Sequence, residues 1–188
     1  CNDNDSCTFD DVCSGTGFPG ACEGIPSEDF YDAMALNESP EHATELGKIE
    51  DKTPWPSDSE ELWIYPAFDV DWMSWDIADT PAFGEVLRPK AAIAVPPGQT
   101  LELCVYYTCA FPSTGLTSYT CPGSTSVKSV SYGMEGCCAQ GSGETVSVTM
   151  DPNCFGLSET GTAFASVLLV NGPYTCEPEY VFEWGDAE

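Results

Sequence analysis

Residues 90–108 read KAAIAVPPGQTLELCVYYT: two strand-length apolar runs joined by the turn Pro96-Pro97-Gly98-Gln99. After the turn, Leu101, Leu103, Val105 and Tyr107 alternate with Glu102, Cys104 and Tyr106. That period of two belongs to a strand with one face in a core. The same signal recurs outward from this stretch, at 62–65 and 70–77 before it. After it come 127–132, 145–150, 163–170 and 180–184, with Gly, Pro and Asn between the runs. No helical period competes over any length. Eight short strands predict an all-β fold, an antiparallel β-sandwich of jelly-roll or immunoglobulin-like type. Residues 52–61, with Pro54 and Pro56 among acidic and Ser positions, read as a loop. Ser27-Glu28-Asp29 reads as the cap of a short helical turn through Phe30, Tyr31 and Met34.

The opening 26 residues have a different composition. Cys1, Cys7, Cys13 and Cys22 punctuate them together with Gly15, Gly17, Gly20 and Gly24, and there is too little apolar content for a core. Such a segment needs disulfides or a metal to hold it. The expected organisation is therefore a Cys-rich N-terminal segment over 1–26 and a sandwich over 27–188.

The 188-residue chain carries 5 Lys and Arg against 31 Asp and Glu, a formal charge of -26. Binding phosphates takes clustered basic side chains, so nucleic acid and anionic lipid surfaces are excluded as partners. Eleven Cys accompany the single His42. With one His and no paired zinc knuckles, these Cys point to disulfides in an oxidising compartment. The disulfide candidates are Cys7, Cys13, Cys22, Cys104, Cys109, Cys121, Cys137, Cys138, Cys154 and Cys176. A bond between the adjacent Cys137 and Cys138 would strain the peptide between them, so each is expected to staple a different neighbour. Cys104 and Cys109 pair either with each other or separately. A chain beginning on Cys is similar to a mature bacterial lipoprotein, so Cys1 is expected to carry lipid or a disulfide. Residues 163–170, the longest apolar stretch near the end, are far shorter than a membrane span, so membrane contact is expected only through that lipid.

Catalytic machinery is not legible. His42 has no evident nucleophile, no G-x-S-x-G elbow exists, and paired carboxylates are uninformative among 31 acids. Asp69 and Asp71 are the best polar candidates, because residues two apart on a strand share a face. They fit either a calcium ion or carboxyls accepting backbone hydrogen bonds. The acids Asp3, Asp5, Asp10 and Asp11 are a second cation candidate, against a solvated acidic loop. Trp55, Trp63 and Tyr65 lead a cluster with Phe68, Trp72 and Trp75. Exposed, such rings would stack on sugars; buried, they fill the sandwich. Met73 and Trp75 share a face and read as core, and Trp55 between two prolines reads as the most exposed.

Four motifs in order resemble the bacterial pre-peptidase C-terminal domain. They are residues 37–47, Asn37 to Gly47; Asp69-Val70-Asp71-Trp72-Met73-Ser74-Trp75; Pro97-Gly98-Gln99-Thr100-Leu101; and Tyr180-Val181-Phe182-Glu183-Trp184-Gly185. The cysteines depart from the usual pattern and resemble a Cys-rich variant found in exported proteins of myxobacterial type. Residues 1–13, of the form C-N-D-x-x-x-C-T-x-x-D-x-C, are similar to short Cys-rich repeats of such proteins. The resemblance implies a sandwich that accompanies a secreted protease or stands on the cell surface. It implies calcium for some members, with Asn37 and Glu38 joining Asp69 and Asp71, and collagen or another insoluble polymer as ligand for others. The expected function is a non-catalytic extracellular or cell-surface structural or adhesive module, part of a surface assembly or filament, with a protein partner or self-assembly. The alternative is a targeting module that binds an insoluble polysaccharide or protein polymer for a secreted hydrolase.

Overall fold

The two runs of residues 90–108 become strands in different sheets, and the proline-glycine turn carries the chain from one to the other. The structure, a computed structural model, describes residues 8–14, 21–26, 37–50, 53–64, 69–78, 87–110, 116–123, 126–154, 160–173 and 175–187, with the backbone alone at 8–14, 21–26, 63 and 175–178. The expected helical turn at 27–34 lies outside these residues, as do Cys1, Cys7 and Tyr65 and the side chains of Cys13, Cys22, Trp63 and Cys176.

Strands β1 (Thr8–Ser14) and β2 (Ala21–Pro26) form their own antiparallel pair, with Cys13 directly across from Cys22 in the register. A 3-10 turn at Pro40–His42 precedes β3 (Thr44–Glu50), followed by β4 (Asp58–Ile64), β5 (Val70–Ala78), β6 (Pro89–Ala94) and β7 (Thr100–Cys109). Then come β8 (Leu116–Thr120), β9 (Val127–Ser131), β10 (Met134–Ser142) and β11 (Thr145–Thr149). The last are β12 (Asp151–Cys154), β13 (Gly161–Asn171) and β14 (Thr175–Asp186). A six-stranded sheet in the order β3-β5-β13-β7-β10-β9 packs on a four-stranded sheet in the order β11-β6-β14-β4. The pairing is antiparallel except for β3, which lies parallel to β5. The small sheet β12-β8 stands apart from both ladders. The expected sandwich is present.

The core lies between the two large sheets. Met73, Trp75 and Ile77 of β5, with Leu101, Leu103, Val105 and Tyr107 of β7, face Ile93 of β6 and Tyr180, Phe182 and Trp184 of β14. Each set sits two residues apart along its strand, the pleat that sends alternate side chains to one side. The Pro96–Gln99 turn is locked at its far end. Gly172, at φ 117°, lies so close to it that a Cβ would come 2.6 Å from the Gly98 carbonyl oxygen. Gln99 Nε2 donates to the Pro173 carbonyl at 2.9 Å, and Ser142 Oγ donates to the Gln99 carbonyl at 2.8 Å.

Three readings from sequence need correction. The loop expected through residue 61 gives way to β4 at Asp58, an edge strand whose exposed acidic side chains conceal it. Residues 134–142 form the long β10, hidden because Gly136, Cys137, Cys138 and Ala139 are buried in succession. The short β8 and β12 carry no alternation of their own and depend on staples.

Those staples are disulfides. Cys109 joins Cys154, Cys121 joins Cys137, and Cys104 joins Cys138. The adjacent Cys137 and Cys138 thus bond different partners, and Cys104 and Cys109 pair separately. The first two bridges tie the β8-β12 sheet to β7 and β10 of the large sheet. Such bonds belong to an oxidising compartment and not to reducing cytosol. No helix among the described residues is long and apolar enough to cross a membrane.

Peptide mapping under non-reducing conditions should recover the pairs 104–138, 109–154 and 121–137. Replacing Cys109 and Cys154 together by Ala reopens a closure of 45 residues. It should lower unfolding stability by about 3–4 kcal/mol in urea titration. The amides of β8 and β12 should lose exchange protection first.

Candidate functional site

The acidic strand start identified from sequence is buried structure. Asp71 is fully buried on the core-facing side of β5. Its Oδ1 accepts from Asn37 Nδ2 at 3.1 Å, and its Oδ2 accepts a short hydrogen bond from the Tyr180 hydroxyl. Tyr180 stands on β14, so this bond spans the two sheets. Asn37, itself buried, accepts from the Trp72 amide at 2.7 Å through its carbonyl, which clamps the chain ahead of β3 against β5. Asp69 is buried too. Glu38 is exposed and lines a groove on the outer face. Of the four calcium candidates, the structure therefore joins Asn37 to Asp71 and sends Glu38 elsewhere. Protein donors meet both Asp71 oxygens, which gives the pair a role without a cation.

Trp55 is half-buried, not the exposed platform expected. Its ring packs at Gly185, where a Cβ would come 3.3 Å from Trp55 Cε3, and the Lys90 ammonium lies 4.1 Å from the ring centroid. A cation on an aromatic face is itself a favourable contact, and it takes the surface a sugar would use.

On the other side of the six-stranded sheet lies a second aromatic cluster, in which Trp72 and Tyr106 are buried and Tyr132 is exposed. One row crosses four strands there: Trp72 of β5 pairs with Ser166 of β13, Ser166 with Cys104 of β7, and Cys104 with Cys138 of β10. In the next row Tyr106 of β7 lies opposite Gly136 of β10. Only glycine fits at 136, since a Cβ would overlap the Tyr106 ring and the Val105 carbonyl. Trp72 stacks on Tyr106 with centroids 5.4 Å apart, and Tyr132 meets Trp72 edge-on at 5.6 Å. Tyr132 stands in the two-residue turn between β9 and β10 with φ 49°, followed by Gly133 at φ 78°. Positive φ at both central positions gives the turn whose twist matches a hairpin, a conformation uncommon for a tyrosine. It aims the Tyr132 ring back over the sheet.

Together these groups enclose a groove of about 280 Å³. Trp72, Val70 and Leu168 form one side, Val130 and Tyr132 the other, and Cys104, Tyr106 and Ser166 the floor. Glu38 and Glu102 bring carboxylates, and Gln140 Nε2 steadies Glu102 by donating at 2.7 Å. Burial pushes the Tyr106 phenol above its usual range; bonds to the Ser166, Ser129 and Ser131 hydroxyls work against that, and the charge of Glu102 adds to it.

Glu102 Oε, Cys104 Sγ and Cys138 Sγ gather within 4.8 Å, a cluster of metal-ligating type. The disulfide between the two cysteines leaves no thiolate for a metal. Ser39 Oγ lies 3.1 Å from His42 Nδ1, a contact missed from sequence, but both belong to one exposed turn. No carboxylate stands against the other ring nitrogen among the described residues, so nothing orients the imidazole as a base. No family model, curated protein or solved structure matches this chain.

Two outcomes follow from this geometry. Asp71→Asn replaces one of two buried acceptor oxygens with an amide nitrogen and should lower stability by about 2–3 kcal/mol. If Asn37 and Tyr180 account for Asp71, the loss in melting temperature will be the same with chelator as with millimolar calcium. The second concerns alkaline pH. The raised Tyr106 phenol stays neutral in the fold while the unfolded chain ionises at about pH 10. Its contribution is therefore intact below that pH and is lost as pH climbs toward the higher folded value. Tyr106→Phe should flatten the fall in urea midpoint across this window.

Proposed function

We propose that this chain is a non-catalytic module of the cell exterior that holds a partner through the outer face of its six-stranded sheet. One observation carries the reading. Among the described residues four large apolar side chains are exposed, and Val127 at 62%, Val130 at 67% and Tyr132 at 63% are three of them, within six residues beside the groove. Concentration of that kind, bordered by polar groups, marks a contact surface, whereas single exposed apolar residues are ordinary. The disulfides support a place outside the reducing cytosol. The resemblance to the pre-peptidase C-terminal domain supports a surface assembly. A place at the outer-membrane surface is the finer form of the same reading.

A second reading has its own support. Tyr132 offers an exposed ring beside the Glu38 and Glu102 carboxylates, the pairing of stacking face and acceptors that a sugar takes. It corresponds to a targeting module for an insoluble polymer.

A photo-crosslinking side chain at position 130, presented to intact surface material of the producing cells, should give a discrete protein adduct, and one at position 53 should not. Retention on cellulose, chitin or collagen that disappears in Tyr132→Ala would replace the partner reading with the polymer reading.

A further inference from the structure

A sheet edge exposes unpaired N–H and C=O groups, so proteins blunt their edges with charges. Among the described residues this sandwich has four such edges: β3 and β9 on one sheet, β11 and β4 on the other. Three are guarded or polar. Strand β3 carries exposed Glu45, Lys48 and Glu50; β4 carries exposed Asp58, Ser59 and Glu61; β11 presents Thr145 and Ser147. Strand β9 presents Val127 and Val130. Its one charge, Lys128, is turned back on the chain: Nζ donates to the Tyr119 carbonyl at 2.8 Å and sits 4.0 Å over the Tyr119 ring. Lys128 remains exposed, but its ammonium is held at Tyr119 and not along the free edge.

Beside that edge runs the groove with Glu38 and Glu102, on a chain of net charge -26. An anionic surface of this size draws cationic partners and repels a second copy of itself. We infer that β9 accepts an extended basic segment of a partner protein as an added strand, with one Lys or Arg side chain entering the groove toward Glu38 and Glu102. The inference rests on the partner-holding reading and names how that partner binds. Main-chain bonds to β9 supply affinity, and alternate side chains supply selectivity. Val127 and Val130 point to opposite faces of β9, so the Lys side chains of the added strand lie on the groove face with Val127 and Tyr132, and its apolar side chains lie on the other face beside Val130. The groove, below the usual size of a drug-sized pocket, suits a single side chain.

The probe is a nine-residue peptide of alternating Val and Lys, compared with its Val-Glu counterpart and with a Val-Lys version N-methylated at alternate amides. The Val-Lys peptide should protect the amides of residues 127–131 from exchange and should weaken about tenfold when salt is raised to screen the charges. N-methylation should abolish the protection, because it removes ladder donors and keeps the charge. Val130→Lys, a change at an exposed position, should abolish binding, and Glu102→Gln with Glu38→Gln should weaken it several-fold. Equal binding of the N-methylated peptide, or binding indifferent to Val130→Lys, would mean charge adsorption and overturn the inference. So would a dimer of the unliganded protein, seen by light scattering, that Val130→Lys dissociates, since a second copy would then be the occupant. Crosslinks from position 130 without strand addition would remove this inference and leave the partner reading standing. Peptide binding without any crosslink would remove the partner reading and keep the edge chemistry.

Discussion

A carboxyl group sealed from water has to be met by protein donors, and at Asp71 that requirement organises the molecule. The bond to Asn37 reaches back 34 residues to the segment that leads into the sandwich. The bond to Tyr180 reaches forward 109 residues to the last strand and across to the other sheet. Removing either donor would leave a buried acceptor short of a partner, which costs more than the bond itself contributes. The two bonds therefore fix three things at once: where β3 joins β5, which way β14 faces, and how the sheets sit on one another. Hydrophobic burial between Trp75, Tyr107 and Phe182 would allow small slips. A directional bond to one oxygen of one residue does not.

What could be read from the sequence depended on whether a strand has one dry face or two. Strands β5, β6, β7, β11, β13 and β14 gave apolar runs or alternation and were all located. Strand β10 has Cys137 facing the main core and Cys138 facing the outer cluster, both buried, so it shows no hydrophilic rhythm. Its two cysteines looked like a chemical puzzle and are the sign of a sheet covered on both sides. Strand β4 is legible only at its end, 62–64, because the acids at its start belong to an edge and mimic a loop.

The candidate site was half legible. Asp71 and Asn37 stood out and do meet, in a structural bond. Trp72 is legible in the aromatic cluster and in the motif of residues 69–75, while no sequence motif marks Tyr106, Glu102 and Tyr132 as site residues. The signal was present in the stretch that decides the fold. Cys104 and Tyr106 occupy the nominally polar side of β7, and neither is content in water. A face that alternates Glu with Cys and Tyr is itself partly apolar and needs cover. The cover comes from Trp72, the Cys104–Cys138 bond and the Tyr132 turn, and fold and groove arise from the same rows of side chains.

Acidity and disulfides belong to one physical argument. A surface of net charge -26 keeps the protein soluble but pushes the folded chain apart, since compaction brings like charges together. Cross-links oppose that push by restricting the expanded, unfolded chain, and they do so without burying more surface. A sandwich held in this way can leave Val127 and Val130 exposed on one edge, because charge elsewhere on the body keeps copies of it from meeting there. The same field that prevents self-pairing at β9 admits an oppositely charged strand. Negative charge on the body and the absence of a free charge on the edge thus act together to choose what reaches it.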